Sequence, residues 1–141
     1  MAVTRHLAGR SRTLLGFATL VAVVATVGSL YLSLGLGLIP CTLCWYQRIL
    51  MYPLVVVLGV AFVENRETIF RTVLPLSVFG GGIAAYHSLL QLTSSTGNQC
   101  TIGGCGSVLF RVAGLTIPNL SLLAFVLITA SMLVLVARSS E

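Results

Sequence analysis

Four long apolar stretches, separated by short polar segments, dominate the pattern of hydrophobic and polar positions. They run over about 14–38, 43–63, 72–92 and 115–136. Each is long enough to cross the roughly 30 Å of bilayer hydrocarbon, which takes about 20 apolar residues. Since lipid offers the backbone no hydrogen bonds, each stretch is predicted to be a helix. The pattern therefore predicts an all-α membrane bundle of four helices, with 1–141 forming a single integral membrane domain.

The composition also favours lipid over water as the main solvent of the surface. Of 141 residues, 57% are hydrophobic and 8% are charged, whereas a soluble domain carries about 25% charged residues. A basic leader before the first stretch raises the alternative of a cleaved signal peptide, but the apolar run exceeds the roughly 7–15 residues of a signal core. In the third stretch, Gly80, Gly81 and Gly82 predict a close approach to a neighbouring helix.

The arginines predict the orientation of the chain in the membrane. The net charge is +5, and six of the eight basic residues lie in the two tails or between the second and third stretches: Arg5, Arg10, Arg12, Arg66, Arg71 and Arg138. Because basic residues in short loops favour the cytoplasm, both tails are predicted to be cytoplasmic. The flanking positions of these arginines favour membrane orientation over nucleic-acid binding.

The two remaining loops, around 39–44 and 93–114, are then extracytoplasmic, and they contain all four cysteines. Cys41 and Cys44 form a C-x-x-C motif, while Cys100 and Cys105 lie in a loop rich in Gly, Ser, Thr and Asn, a composition that predicts mobility. Pro40 suits a helix start, which would place the first pair in the first turn of the second helix. The positive end of the helix dipole would there stabilise a thiolate.

Three interpretations of the cysteine pairs compete. They could be structural disulfides, since disulfides persist outside the cytoplasm, but a four-helix membrane bundle does not need two crosslinks. They could be four thiolate ligands of zinc, but no further His or Cys cluster accompanies them, and no metal site is predicted. The favoured interpretation is redox exchange, in which the two pairs pass a disulfide between them.

Three polar residues near the first pair are candidate binding residues. Arg48 lies one helical turn after Cys44, and an ionisable residue inside a span is a functional hypothesis by default. It would stabilise a thiolate at Cys44 or negative charge on a reduced acceptor, and the alternative is that it snorkels to the interface. His87 and Gln91 share one face of the third helix and are expected to meet Arg48, with a purely structural His87 as the alternative.

Three ordered motifs resemble the disulfide bond formation protein family, DsbB and its shorter relative BdbC. The sequence P-C-T-L-C-W-Y-Q-R at 40–48 matches the P-C-x-L-C-x-Y-x-R pattern of the family. The segment Y-H-S-L-L-Q-L at 86–92 is similar to the H-x-x-L-Q stretch on the family's third helix, and G-L-T-I-P at 114–118 resembles the entry to its fourth. The resemblance covers nearly the whole chain, and the short second cysteine pair is closer to the BdbC type.

The resemblance implies a thiol:quinone oxidoreductase in the bacterial cell (inner) membrane. It would reoxidise a thioredoxin-fold thiol oxidase, similar to DsbA or BdbD, and pass the electrons to menaquinone or ubiquinone. A non-catalytic membrane scaffold with two structural disulfides is the alternative from another class. A role in carrying reducing power outward would need cysteines in the membrane or on the cytoplasmic side, which this sequence lacks.

The resemblance also implies a role for each cysteine. Cys100 and Cys105 would form the shuttle disulfide, with Cys100 joined to the partner in a mixed disulfide and Cys105 passing electrons to Cys41. Cys44 would donate to the quinone, with the three polar residues named above around the ring.

Overall fold

The structure, a computed structural model, describes residues 2–94 and 111–140. The described residues form four α-helices: α1 (Ala2–Leu30), α2 (Thr42–Glu64), α3 (Phe70–Ser94) and α4 (Ile117–Ser139). Each helix is long and apolar enough to cross a membrane. The predicted all-α, four-helix membrane architecture is confirmed.

Each helix of the bundle packs against two neighbours, so that α1 and α3 both contact α2 and α4. The core between them is apolar and includes the fully buried side chains of Leu15, Leu54, Leu58, Phe125, Ile128 and Met132. The outward faces are apolar as well, with large exposed side chains such as Val56, Phe79 and Leu133. An apolar exterior is expected where the surrounding solvent is lipid.

The first helix differs from its predicted bounds at both ends. It begins at Ala2 instead of near residue 14, because the leader continues the same helix as the apolar stretch, and arginine favours helices. Its regular part ends at Leu30, where a π-helical turn, Tyr31–Gly35, follows. Gly37 then adopts a φ of 67°, which glycine tolerates best. The last residues of the predicted helix, 36–38, therefore belong to the connection to α2.

The second helix begins one residue later than the cysteine motif suggested. Cys41 is its N-cap residue, in an extended conformation, and the Cys41 carbonyl accepts a hydrogen bond from the Trp45 N–H at 3.1 Å. Cys44 lies in the first helical turn, as predicted, while Cys41 lies just outside it. Pro40 precedes the cap and ends the connection from α1, rather than occupying the first helical position.

A short hairpin precedes α4, where a loop followed directly by a helix was predicted. Strands β1 (Arg111–Val112) and β2 (Leu115–Thr116) pair antiparallel, with Arg111 opposite Thr116. Ala113 and Gly114 between them have φ values of 52° and 83°, as a tight type I′ turn requires. The predicted helix start at 115 was therefore wrong by two residues, because Leu115 and Thr116 complete the hairpin.

Gly80 allows α3 and α4 to approach closely. A Cβ atom at Gly80 would overlap the ring of Phe125, whereas a Cβ at Gly82 would meet nothing within 4 Å. The predicted close approach is confirmed at Gly80. The contact helps to fix how α4 lies along α3, and thereby which side chains of the two helices meet at their ends.

Candidate active site

The end of the bundle that carries the C-x-x-C motif gathers polar side chains from all four helices. The start of α2, the last turns of α1 and α3, and the start of α4 meet there, since consecutive helices run in opposite directions. Cross-helix hydrogen bonds at this end join α2 to each of its three companions. Residues far apart in sequence therefore share one site.

The two sulfurs of the motif lie close together but in different surroundings. Cys41 Sγ and Cys44 Sγ are 3.1 Å apart, so a small movement closes them to the roughly 2.05 Å of a disulfide. Cys41 is buried, at 8% exposure, whereas Cys44 is only partly buried. The predicted bridging geometry of this pair is thus present, with one sulfur more accessible than the other.

A chain of polar contacts leads away from Cys41 across three helices. His87 on α3 places its Nε2 3.7 Å from Cys41 Sγ and its Nδ1 3.2 Å from Gln47 Nε2. The other end of the Gln47 amide, Oε1, accepts a hydrogen bond from the Ser121 hydroxyl of α4 at 2.6 Å. His87 is 2% exposed and Gln47 is 6% exposed. The contacts therefore lie in the bundle interior, where hydrogen bonds are poorly screened.

Arg48 lies on the opposite flank of α2. Its Nε donates to Ser29 Oγ at 2.9 Å and its Nη2 to the Ser29 carbonyl at 2.8 Å. Its guanidinium carbon lies 5.6 Å from the centroid of the Trp45 ring, within cation–π range. These contacts hold a half-buried cation in a defined place one turn below Cys44.

Arg48 and His87, which were expected to meet, make hydrogen bonds on different sides of α2. Within the described part of the chain, the hydrogen bonds of Arg48 go to Ser29 on α1, while His87 contacts Cys41 and Gln47. Consecutive residues on a helix point roughly 100° apart. Because Gln47 faces α3, Arg48 faces α1.

The remaining predicted site residues have separate outcomes. Gln91 is buried, one turn beyond His87 on α3, and its predicted role in binding stays a prediction. Cys100 and Cys105 lie outside the described residues, and their roles stay predictions too.

An apolar groove of about 350 Å³ opens between α2 and α3. Its volume is within the range of small-ligand sites, about 300–1,000 Å³. Leu43, which lies between the two cysteines in sequence, forms one wall. The side of α3 forms the other wall, with Val78, Phe79, Gly82, Ile83 and Tyr86.

The dithiol also has a donor set that a thiophilic cation could use. The sulfurs of Cys41 and Cys44 and a ring nitrogen of His87 lie within 4.8 Å of one another, and zinc takes such thiolate and imidazole ligands. The predicted absence of a metal therefore stays a prediction.

Sequence reasoning gave no role to Gln47, Ser121 or Ser29. Gln47 carried a usable signal, because a glutamine within an apolar span must find a buried partner. Ser121 and Ser29 carried little signal, since a serine in a membrane helix commonly bonds to its own backbone. Their roles depend on helix packing that only the structure shows.

Two comparisons with known proteins indicate the same family for this chain. A family model described as disulfide bond formation protein DsbB matches residues 11–135. Disulfide bond formation protein C of Bacillus subtilis (strain 168) is 42% identical over 125 residues, which cover 86% of this chain and 91% of the relative. A probable disulfide formation protein of Metapseudomonas resinovorans is 36% identical over 141 residues, covering 94% and 95%. No solved structure matches the chain. The resemblance predicted from the sequence motifs is confirmed.

Proposed function

Because the chain belongs to the DsbB family of disulfide bond formation proteins, we propose that it is a thiol:quinone oxidoreductase. A role in disulfide formation follows from the family itself. The proposal adds the quinone, a thioredoxin-fold partner and the direction of electron flow. The observation that carries it is the pair of sulfurs 3.1 Å apart at the start of a helix able to span a membrane.

We assign Cys44 to the quinone side of the site. Cys44 is the less buried of the two cysteines, and Arg48 lies one turn below it on the same helix. The guanidinium, fixed by Ser29, stabilises negative charge on a thiolate or a quinone oxygen through charge-assisted hydrogen bonds. A bound quinone supplies the oxidising power of the site and accepts two electrons and two protons.

The groove between α2 and α3 supports a lipid-soluble acceptor. Its lining is apolar from Leu43 to Phe79 and Ile83, which suits a quinone that enters laterally from the bilayer. The groove lining does not include Arg48, His87 or Gln91, so these residues would contact only the polar part of a ring that extends from the groove to Cys44. The apolar lining therefore fits the lipid-soluble part of a quinone, with menaquinone and ubiquinone both compatible.

The second cysteine pair would connect this site to protein substrates. A thioredoxin-fold oxidase gives its two electrons to the Cys100–Cys105 disulfide, and the Cys105 thiolate then attacks the disulfide of the first pair at Cys41. Cys44 leaves as a thiolate in that step. This exchange proceeds through mixed disulfides and takes place on the extracytoplasmic side, in line with the arginine distribution.

Quinone reduction by the purified protein tests the proposal directly. With a reduced thioredoxin-fold partner and a soluble quinone analogue, we expect the quinone absorbance to fall with wild type and with Thr42→Ser, a matched control in the same motif. No quinone reduction is expected with Cys44→Ser. Full quinone reduction by Cys44→Ser would contradict the proposal. No quinone reduction by the wild type would favour the scaffold alternative.

A trapping experiment tests the partner and the orientation. A Cys105→Ser variant leaves Cys100 without its resolving thiol, so we expect a mixed disulfide with an exported thioredoxin-fold protein. In intact spheroplasts a membrane-impermeant maleimide should label the reduced Cys100 of this variant. Labelling that requires permeabilised membranes would overturn the orientation.

A further inference from the structure

We propose that Gln47 and Ser121 are positioning residues that hold His87 with its proton on Nε2, so that His87 donates a hydrogen bond to the Cys41 thiolate. The use of this thiolate in turnover rests on the proposed function. The hydrogen-bond arrangement itself rests on contacts among buried side chains of α2, α3 and α4.

The Gln47 amide determines what His87 can do. Its Oε1 accepts from the Ser121 hydroxyl at 2.6 Å, which turns its NH₂ group toward His87 Nδ1 at 3.2 Å. An amide NH₂ only donates. His87 Nδ1 must therefore accept, and in a neutral imidazole the proton then resides on Nε2.

That proton points at Cys41. Nε2 lies 3.7 Å from Cys41 Sγ, and both residues are buried. A donor directed at a sulfur favours the thiolate over the thiol, and the poorly screened interior strengthens the effect. His87 thus acts on Cys41, in addition to any contact with a quinone.

Cys41 carries negative charge at two points of the proposed cycle. Cys41 leaves as a thiolate when Cys100 attacks Cys105 and the Cys100–Cys105 disulfide re-forms. The same thiolate forms the new bond to Cys44 as the two sulfurs give two electrons to the bound quinone. Each cycle oxidises two thiols to one disulfide, and two electrons and two protons leave on the quinone. His87 keeps its own proton throughout, and its hydrogen bond stabilises the charge at both steps.

Ser121 favours this orientation of the Gln47 amide over the flipped one. Its single hydroxyl proton can go to Gln47 Oε1 at 2.6 Å or to the Pro118 carbonyl at 3.0 Å. If the Ser121 hydroxyl donated to the Pro118 carbonyl instead, the amide could flip and its Oε1 would accept a hydrogen bond from Nδ1–H. Nε2 would then be an acceptor facing a Cys41 thiol. The shorter contact favours the first arrangement, and the two have opposite protonation of the His87 ring.

Nitrogen-15 NMR of the histidine rings distinguishes the two arrangements. The chain has two histidines, so a His6→Gln background leaves only the His87 signals. In the reduced protein in micelles we expect Nδ1 unprotonated and Nε2 protonated. Gln47→Glu, whose carboxylate only accepts, should place a proton on Nδ1. A protonated Nδ1 in neutral His87 of the unsubstituted site would overturn the proposal.

Alkylation of Cys41 provides the matching chemical test. With Cys44, Cys100 and Cys105 replaced by serine, Cys41 is the sole thiol, and its reaction with iodoacetamide follows the thiolate fraction. Gln47→Leu should slow alkylation about fivefold to tenfold, and Ser121→Ala about twofold.

Two controls separate positioning from general disruption. Gln47→Glu introduces a carboxylate that accepts from Nδ1 of a doubly protonated ring, which still donates from Nε2, and should restore rapid alkylation of Cys41. Ser88→Ala removes a buried hydroxyl beside His87 that has no hydrogen-bond partner among the described residues, and it should leave the rate unchanged. If Gln47→Leu and Ser121→Ala both left the alkylation rate of the Cys41-only protein unchanged, the proposal would be overturned. Neither test uses quinone or partner, so a failure here is distinct from a failure of the proposed function.

Discussion

Polar side chains at the two ends of the bundle differ in burial and in the partners that they contact. At the cysteine end, His87 and Gln47 are buried and bonded across helices. At the other end, Arg66 pairs with Glu64 at 3.3 Å, but their side chains are 68% and 50% exposed. The contacts of His87 and Gln47 are thus interhelical and buried, whereas the Arg66–Glu64 pair is local and solvated.

The two ends differ in the free energy that it costs to bury their polar groups. Burying a polar group without a partner costs free energy, and His87, Gln47 and Ser121 meet this cost with partners on other helices. An exposed ion pair such as that of Arg66 contributes only about 0–1 kcal/mol. The buried contacts therefore position side chains around Cys41 and Cys44, whereas the exposed ion pair contributes little to stability.

The largest expected effect concerns the packing of α3 against α4, which connects the two ends of the bundle. Gly80→Ala would place a Cβ against the Phe125 ring, and overpacking of this kind costs about 1–3 kcal/mol. We expect a lower free energy of unfolding, measured by detergent-induced unfolding in mixed micelles. Gly82→Ala, two residues along α3, is the matched control and should be nearly neutral. Equal stability of the two variants would contradict the assigned α3–α4 contact.

The next effect is specific to the cysteine end. Arg48→Ala removes a fixed cation near the proposed quinone site, and a hydrogen bond to a charged group is worth about 1.5–3 kcal/mol. We expect the KM for the quinone analogue to rise about tenfold or more, while disulfide exchange between the cysteine pairs continues. Arg66→Ala, at the opposite end, should leave this KM unchanged. An unchanged KM in Arg48→Ala would leave only the interfacial interpretation of Arg48.

A smaller effect is expected from the residue that holds Arg48. Ser29→Ala removes the acceptor of the Arg48 Nε but leaves the backbone carbonyl, so the quinone KM should rise about twofold to threefold, as for one ordinary hydrogen bond. Ser33→Ala, one turn further along the chain, is the control. In an Arg48→Ala background Ser29→Ala should have no further effect, and an additive effect would show that Ser29 acts by another route.

The smallest effect is expected at the solvated end. Glu64→Gln breaks the ion pair with Arg66 and should change the free energy of unfolding by less than about 1 kcal/mol. The quinone KM should be that of wild type. A KM change as large as that of Ser29→Ala would mean that the two ends are coupled, and the contrast between them would fail.

Several features follow from local chemistry and could be predicted from the sequence alone. The four spans follow from the length of the apolar runs, and the facing of Cys41 and Cys44 follows from their three-residue spacing at a helix start. The close approach at Gly80 follows from the small-residue run. Each of these depends on neighbours in sequence.

The cross-helix partners could not be predicted in the same way. The contact of His87 with Cys41 depends on how α2 and α3 are rotated against each other, and the Arg48 contact with Ser29 depends on the packing of α1. Both contacts depend on how the side chains of the whole core pack together. The hairpin before α4 was missed for a different reason, since its signal lies in Ala113 and Gly114, and the apolar pattern beyond them continues into the helix.

The proposed path of electrons runs from protein thiols through Cys44 to a quinone. It is tested most directly by anaerobic rapid mixing of the purified protein, loaded with quinone, against a reduced thioredoxin-fold partner, with quinol formed and thiols lost measured together. One quinol should appear for each pair of thiols oxidised, and Cys44→Ser should form none. Thiol loss in wild type without quinol formation, or quinol formation by Cys44→Ser, would contradict the account.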